Sequence, residues 1–283
     1  MENSSTVEQI RSLAREKNAV LLAHCYQSPQ VQDVADFVGD SLGLSRKAVE
    51  TDAAVIVFCG VRFMAETAFI LNPEKTVLLP EPDAGCPMAD TATADDVLEM
   101  KEQYPDAIAV SYVNSTAEVK AVSDICCTSS NAVRIVSSLP DQRILFFPDK
   151  NLARYTADQT GKHIIPWDGK CYVHHDQIQK GKIEDLSQKH PSAPVLVHPE
   201  CNPEVTALSD FIGSTSQIID FVRESDLEEF IIGTEEGILH PLKRENPGKH
   251  FYSAGARCRD MKQITLSSIE RSLRENVFQV RVP

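Results

Sequence analysis

The sequence predicts an α/β fold built from three homologous units, and three observations predict it. Amphipathic helical stretches alternate with short β-branched runs along the whole chain. The same 17-residue interval separates His24 from Ser41, Tyr112 from Ser129 and His198 from Thr215. A cysteine in a glycine-containing loop then closes each unit, at Cys86, Cys171 and Cys258, with a period of about 86 residues. Two features recurring in register, in the same order of helix, strand and turn, point to triplication.

Each unit opens with an amphipathic helix feeding a strand. Val7 to Lys17 leads into Ala19-Val-Leu-Leu-Ala-His24, Ala94 to Tyr104 into Ala107-Ile-Ala-Val-Ser-Tyr112, and Ile183 to His190 into Pro194-Val-Leu-Val-His198. A short helix-like stretch follows at Gln30 to Phe37, Thr116 to Val122 and Pro203 to Ser209. Next comes a hydroxyl-rich turn, Gly39-Asp40-Ser41, Thr128-Ser129-Ser130 or Gly213-Ser214-Thr215-Ser216, read as a capped helix start. A second strand and helix occupy Ala54 to Phe58 and Arg62 to Leu71, Arg143 to Phe147 and Asn151 to Gln159, and Phe230 to Ile232 and Glu236 to Arg244. A final strand runs into the cysteine loop. The expected divisions are 1–87, 88–171 and 172–258, with 259–283 as a C-terminal helix, from Met261 to Glu275, packing on the first unit. Short connections between alternating elements imply parallel sheets with right-handed crossovers, and ligands beyond the carboxyl ends of the strands. Pseudo-threefold packing would bring those ends, with His24, Tyr112 and His198, around one cavity.

Composition narrows the function. A hydrophobic content of 42% over 283 residues supplies real cores, while 28 basic against 41 acidic residues leave a net charge of −13 with no basic stripe. Nucleic acid and anionic membrane surfaces are therefore poor partners. The polar start, Met1 to Ile10, carries no signal-peptide pattern, and no apolar run reaches the ~18–20 residues that span a bilayer. A cytosolic chain is expected, with its eight cysteines reduced.

Cys86, Cys171 and Cys258 are read either as ligands or as core thiols. Converging, three such thiolates suit a 4Fe-4S cluster with one open iron better than structural zinc, which favours close C-x-x-C pairs. Cys59, Cys126 and Cys127 lie in apolar runs and read as packing residues, whereas Cys25 and Cys201 adjoin candidate site positions. The hydroxyl turns, with Ser41, Ser129, Ser214 and Thr215, offer helix N-termini to phosphate or carboxylate groups. His198-Pro-Glu200 places acid–base groups at a strand end, matched by Tyr112 and Asn114 and by His24 and Tyr26; His174 follows Cys171 by three residues. His163, His190, His240 and His250 have no such context. The acidic clusters Asp90 to Asp96 and Glu224 to Glu229 read as solvated faces.

Several segments resemble the quinolinate synthase family: Ala23-His-Cys-Tyr-Gln, Gln32-Asp-Val-Ala-Asp-Phe-Val-Gly-Asp-Ser41, Val57-Phe-Cys-Gly-Val-Arg-Phe-Met-Ala-Glu-Thr67, Asp83-Ala-Gly-Cys86, Tyr112-Val-Asn114, Cys127-Thr-Ser-Ser-Asn131, Cys171-Tyr-Val-His174, His198-Pro-Glu200 and Gly213-Ser-Thr-Ser-Gln217. They extend over nearly the whole chain in the family's order. The resemblance implies condensation of iminoaspartate with dihydroxyacetone phosphate to quinolinate, phosphate and water for NAD biosynthesis. It implies three homologous three-layer αβα domains in a pseudo-threefold array around a 4Fe-4S cluster, held by Cys86, Cys171 and Cys258. By motif, the substrate contacts would be His24, Tyr26, Ser41, Tyr112, Asn114, Ser129, His174, His198, Glu200, Ser214 and Thr215. Glu200 and His198 would carry the proton transfers, Tyr112 and Tyr26 would position and relay, and the hydroxyl residues would hold phosphate and carboxylates. L-aspartate oxidase or aspartate dehydrogenase would supply iminoaspartate. One departure stands out: Arg257, Arg259 and Asp260 surround Cys258, so the further cysteine pair of some family members is missing and a thiol switch is not expected. Two other readings remain open on the residues, a noncatalytic phosphate- or dicarboxylate-binding protein and a zinc-dependent lyase or hydrolase.

Overall fold

The computed structural model describes residues 2–283, with side chains from Ser5 onward. The first repeat runs α1 (Glu2–Glu16), β1 (Ala19–His24), α2 (Pro29–Val34), β2 (Phe37–Gly39), α3 (Ser41–Glu50), β3 (Val55–Cys59), α4 (Arg62–Leu71) and β4 (Thr76–Leu78). The second runs α5 (Ala94–Gln103), β5 (Ile108–Tyr112), α6 (Ala117–Val122), β6 (Ile125–Cys127), α7 (Ala132–Ser138), β7 (Ile144–Phe147), α8 (Lys150–Thr160) and β8 (Ile164–Pro166). After a π-helical turn at Tyr172–Gln177, the third follows as α9 (Lys180–Lys189), β9 (Val195–Val197), α10 (Pro203–Thr206), β10 (Phe211–Ile212), α11 (Thr215–Glu224), β11 (Glu229–Gly233), α12 (Leu239–Glu245) and β12 (His250–Ser253), and α13 (Leu266–Glu275) ends the chain.

Each repeat forms one four-stranded parallel sheet with the same order: β2-β1-β3-β4, β6-β5-β7-β8 and β10-β9-β11-β12. The order reverses between the two central strands, which opens a crevice beyond their carboxyl ends. The central strands are apolar on both faces because helices cover both; Leu21, Leu22, Ile56, Phe58, Val110, Phe146 and Ile231 are all fully buried. By contact the chain divides into two compact units, Met1–Cys86 with Cys258–Pro283, and Pro87–Arg257. The first holds one sheet and α13, which lies against α1; the second holds two sheets.

Two side-chain devices recur in all three repeats. Asp36, Asp124 and Asp210 each accept the backbone N–H of Leu21, Ala109 or Val195 at 2.8 Å. Each also returns its own N–H to the carbonyl of that residue at 2.9 Å. This two-way clasp turns the chain out of the short second helix and aligns an edge strand beside the first strand. Lys75, Lys162 and Lys249 donate to carbonyls at the ends of α3, α7 and α11, where a cation also meets the negative end of the helix dipole.

The sequence reading misses β2, β6 and β10, giving three strands per repeat where there are four. Each is two or three residues long, too short to show alternation, and is made by pairing rather than by propensity. Phe37, expected at the end of a helix, begins β2. The expected helix from Met261 to Glu275 is broken into a 3-10 turn at Met261–Gln263 and α13, because Thr265 forms a capping box with Ser268 and restarts the helix. Cys126, expected to pack, is exposed on edge strand β6, whereas Cys127 beside it is buried. Replacing Asp210 with Ala strands the Val195 N–H and should lower stability to urea by about 1–2 kcal/mol. An unchanged urea midpoint would show that the clasp contributes nothing.

Candidate active site

A backbone bond made three times positions the cysteines. The first residue of the helical segment after each third strand, in the last repeat a 3-10 turn at Glu236–Ile238, donates its N–H to the last loop: Arg62 to Ala84 O at 2.8 Å, Lys150 to Gly169 O at 2.9 Å, Glu236 to Ala256 O at 2.8 Å. Each cysteine lies two residues further on. At Gly169 the approach is so close that a Cβ would fall 2.4 Å from Pro148 O, so only glycine fits. All eight cysteines are thiols, and their environments separate them. Cys25, Cys59, Cys127 and Cys201 are buried, Cys126 is exposed, and only Cys86, Cys171 and Cys258 are half-buried. Burial pushes the Cys59 thiol up to about 12 and raises Cys127 and Cys201 as well, the last also because of Glu200. Such thiols stay protonated, and neither metal binding nor nucleophilic chemistry suits them.

Within Pro87–Arg257 the carboxyl ends of β5, β9 and β11 bring together four of the expected residues. His174, in the π-helical turn, donates from Nδ1 to Glu200 Oε2 at 2.7 Å, and its Nε2 lies 2.9 Å from Thr234 Oγ1. Tyr112, the last residue of β5, also donates to Glu200. His198 stacks on His174 with ring centroids 4.4 Å apart, and its Nδ1 is 3.9 Å from Glu200 Oε2. The Glu200 N–H donates to His198 Nδ1 at 3.3 Å, which leaves the proton of the neutral ring on Nε2. Burial by itself would raise the Glu200 carboxyl. The two imidazoles and the bonds from His174 and Tyr112 outweigh it and bring the group down to about 2. Cys171 Sγ, a His174 nitrogen and a Glu200 oxygen all lie within 4.8 Å of one another, a set that could hold a metal ion.

The start of α8 adds residues the sequence reading did not single out. Asp149, fully buried, accepts the N–H of Leu152 at 2.7 Å and that of Cys171 at 3.2 Å. Burial and the charge of Glu200 raise its carboxyl well above the usual range, against the pull of backbone N–H groups. Asn151 donates to Glu200 O at 2.9 Å and lies 2.8 Å from His175 Nδ1. In the triplicate register Asp149 matches Glu235 and Val61, and that alignment is the signal by which it was discoverable.

The other expected residues of this unit lie near strand ends. Asn114 has a buried Oδ1 with no partner, a group that suits a polar ligand. Ser214 caps α11 through the Gln217 N–H, and Thr215 beside it is buried. In the second repeat the hydroxyls are not the cap: Asn131 occupies that position, and Ser129 stays in the turn before α7. In the first unit the same holds for Ser41, since Asp40 caps α3 through Gly43 N–H and leaves Ser41 as the first helical residue. The expected hydroxyl cap is therefore found only in the third repeat: Asp40 takes the place one residue before Ser41, and α7 begins after Asn131, whose side chain makes no capping bond. Also in that unit, His24 Nδ1 accepts the Tyr26 N–H at 3.1 Å and their rings meet edge-to-face at 4.6 Å. His24 is thus locked as His198 is, by the N–H two residues on.

Comparison with known proteins then decides the family. Residues 8–283 match the family described as NadA, Quinolinate synthetase A protein. The chain belongs to the quinolinate synthase family. Curated quinolinate synthases from Alkaliphilus metalliredigens and Methanosarcina barkeri are 51% and 50% identical to it, covering 100% of this chain and 94% and 93% of their own. A third, from Desulforudis audaxviator, is 54% identical over 98% of this chain and 92% of its own length. Quinolinate synthase membership implies small-molecule substrates, and among the described residues no helix is long and apolar enough to cross a membrane.

The burial pattern makes a direct prediction. In the iron-free native chain a small alkylating reagent should label Cys86, Cys126, Cys171 and Cys258, while Cys59, Cys127 and Cys201 react only after unfolding. Peptide mass spectrometry reads the pattern, and native labelling of Cys59 at a comparable rate would contradict it.

Proposed function

We propose that this chain condenses iminoaspartate with dihydroxyacetone phosphate to give quinolinate, phosphate and water, with Cys86, Cys171 and Cys258 as ligands of a 4Fe-4S cluster. The observation that carries the reading is the sorting of eight thiols into three half-buried ones at matched positions of a triplicated chain, within a full-length family match. The donor set fits the group: soft sulfur ligands, reachable by incoming iron, on loops that backbone bonds hold in place. When bound, such a cluster supplies an iron with a vacant position, a Lewis acid for oxygen atoms.

The chain's own residues do the rest. Glu200 is ionised at neutral pH and too weak a base, at about 2, to collect protons readily; it orients His174 by accepting from its Nδ1. His198, with its Nδ1 held by the Glu200 N–H, carries the proton on Nε2 and serves the keto–aldehyde transfers. Tyr112 joins the relay through its bond to Glu200, and Tyr26 and His24 play the matching part in the first repeat. Ser41, Ser129, Ser214 and Thr215 bind phosphate and carboxylates, while the buried Oδ1 of Asn114 accepts from a substrate hydroxyl or N–H. The reading takes 1–87, 88–171 and 172–258 as the three domains, with 259–283 as the C-terminal extension. Iminoaspartate, which is labile in water, comes from an enzyme that oxidises aspartate, L-aspartate oxidase or aspartate dehydrogenase, in the cytoplasm.

Anaerobic reconstitution followed by iron and sulfide analysis tests the cluster. Cys86→Ser, Cys171→Ser and Cys258→Ser should each abolish iron binding, and Cys127→Ser should retain it; a full cluster in Cys171→Ser would overturn the ligand set, and zinc in place of iron would favour a hydrolase or lyase. Glu200→Gln should keep the iron and lower turnover at least ~100-fold. Undiminished turnover in that variant would remove Glu200 from the mechanism.

A further inference from the structure

The three repeats build the same backbone junction, yet they fill one position in it differently. The residue before Arg62, Lys150 and Glu236 is Val61, Asp149 and Glu235. With Val61 the first repeat still makes the bond from Arg62 N–H to Ala84 O, so the junction itself needs no carboxylate. Glu235 accepts the Gly237 N–H at 2.6 Å. One oxygen of Asp149 caps α8 at Leu152, and the other crosses to the Cys171 N–H. A fully buried carboxyl group is costly to retain where a valine would build the same turn, and the contact a valine there could not provide is the one to the cysteine. The next turn of the same helix start, through Asn151, holds the Glu200 carbonyl. One rigid helix end therefore sets both the Cys171 loop and the turn that carries Glu200.

We propose that Asp149 is a positioning residue for the Cys171 loop, fixing the Cys171 backbone amide and with it the direction of the thiol before any metal enters. The proposal rests on Cys171 being a cluster ligand. It touches no substrate and acts only through the cysteine. A loop held in this way gives up less conformational freedom on binding, so the ligand is retained more tightly and lost more slowly.

Asp149→Asn is the informative change. The amide keeps one oxygen to cap Leu152 but presents N–H₂ to the Cys171 N–H. Asp124→Asn is the control, because Asp124 also accepts a backbone N–H, that of Ala109, without bonding to any cysteine. Reconstituted wild type and both variants would be challenged anaerobically with a ferrous chelator, and the unfolding midpoint of each iron-free chain measured alongside. Asp149→Asn should release iron at least about tenfold faster than wild type, while Asp124→Asn should release it at the wild-type rate even where its midpoint falls as far. Equal release by the two variants, with iron bound in wild type, would overturn the positioning role alone. Wild type that binds no iron would overturn the ligand reading and this proposal with it. If Asp149→Asn does not fold, hydrogen exchange in the iron-free wild type answers the same question. The Cys171 amide should be protected at least about 100-fold over an open loop, and exchange at the open-loop rate would refute the inference.

Discussion

The structure depends on a backbone hydrogen bond made three times, from the start of the element after each third strand to the loop that leads into a cysteine. A parallel sheet ends its strands on one edge, and the loops beyond that edge have no ladder to fix them. Bonds from Arg62, Lys150 and Glu236 supply that missing restraint two residues before Cys86, Cys171 and Cys258. The thiols are consequently neither sunk in the core, where burial holds Cys59, Cys127 and Cys201 protonated, nor left on an edge strand like Cys126. Sulfur chemistry follows from that intermediate placement.

Around Cys171 the electrostatics are those of a crowded, dry cluster of ionisable groups. Glu200 is 2% exposed and His174 and His198 are 3% exposed, so the desolvation each suffers is large. What makes the arrangement stable is that the carboxylate is satisfied from two side chains, His174 and Tyr112, while the Glu200 N–H fixes the His198 ring and Thr234 meets the other nitrogen of His174. Asp149, nearby and also buried, is pushed the other way by burial and by the same negative charge. Two neighbouring acids are thus driven apart in acidity by their surroundings, Glu200 downward and Asp149 upward.

Triplication explains how such a site is assembled economically. The scaffold parts are repeated faithfully, as the Asp36, Asp124 and Asp210 clasps and the Lys75, Lys162 and Lys249 caps show. The strand-end residues have diverged instead: His24 and Tyr26, Tyr112 and Asn114, His198 and Glu200 occupy equivalent places with different chemistry. Function varies at the carboxyl ends because substitutions there do not disturb the sheet.

The sequence alone determined the repeat, the α/β class, the central strands and which cysteines stand at equivalent positions, because all of these leave local or periodic marks. The strand from Ala19 to His24 and the helix from Arg62 to Leu71 were legible to the residue, being long and bounded by turns. Gathering Tyr112 and His198 around one cavity followed from the repeat, but the bonds of His174 and Tyr112 to Glu200 did not, since nothing local states that a residue after Cys171 meets one after β9. What only the tertiary structure decided are the contacts without a sequence period. The two- and three-residue edge strands exist because an aspartate clasp sets them beside a neighbour. That Asp40 caps α3, and that α7 begins after Asn131 without a side-chain cap, was set by where each turn closes. Asp149 reads as an ordinary helix cap until the fold carries Cys171 to its second oxygen, 22 residues away in sequence.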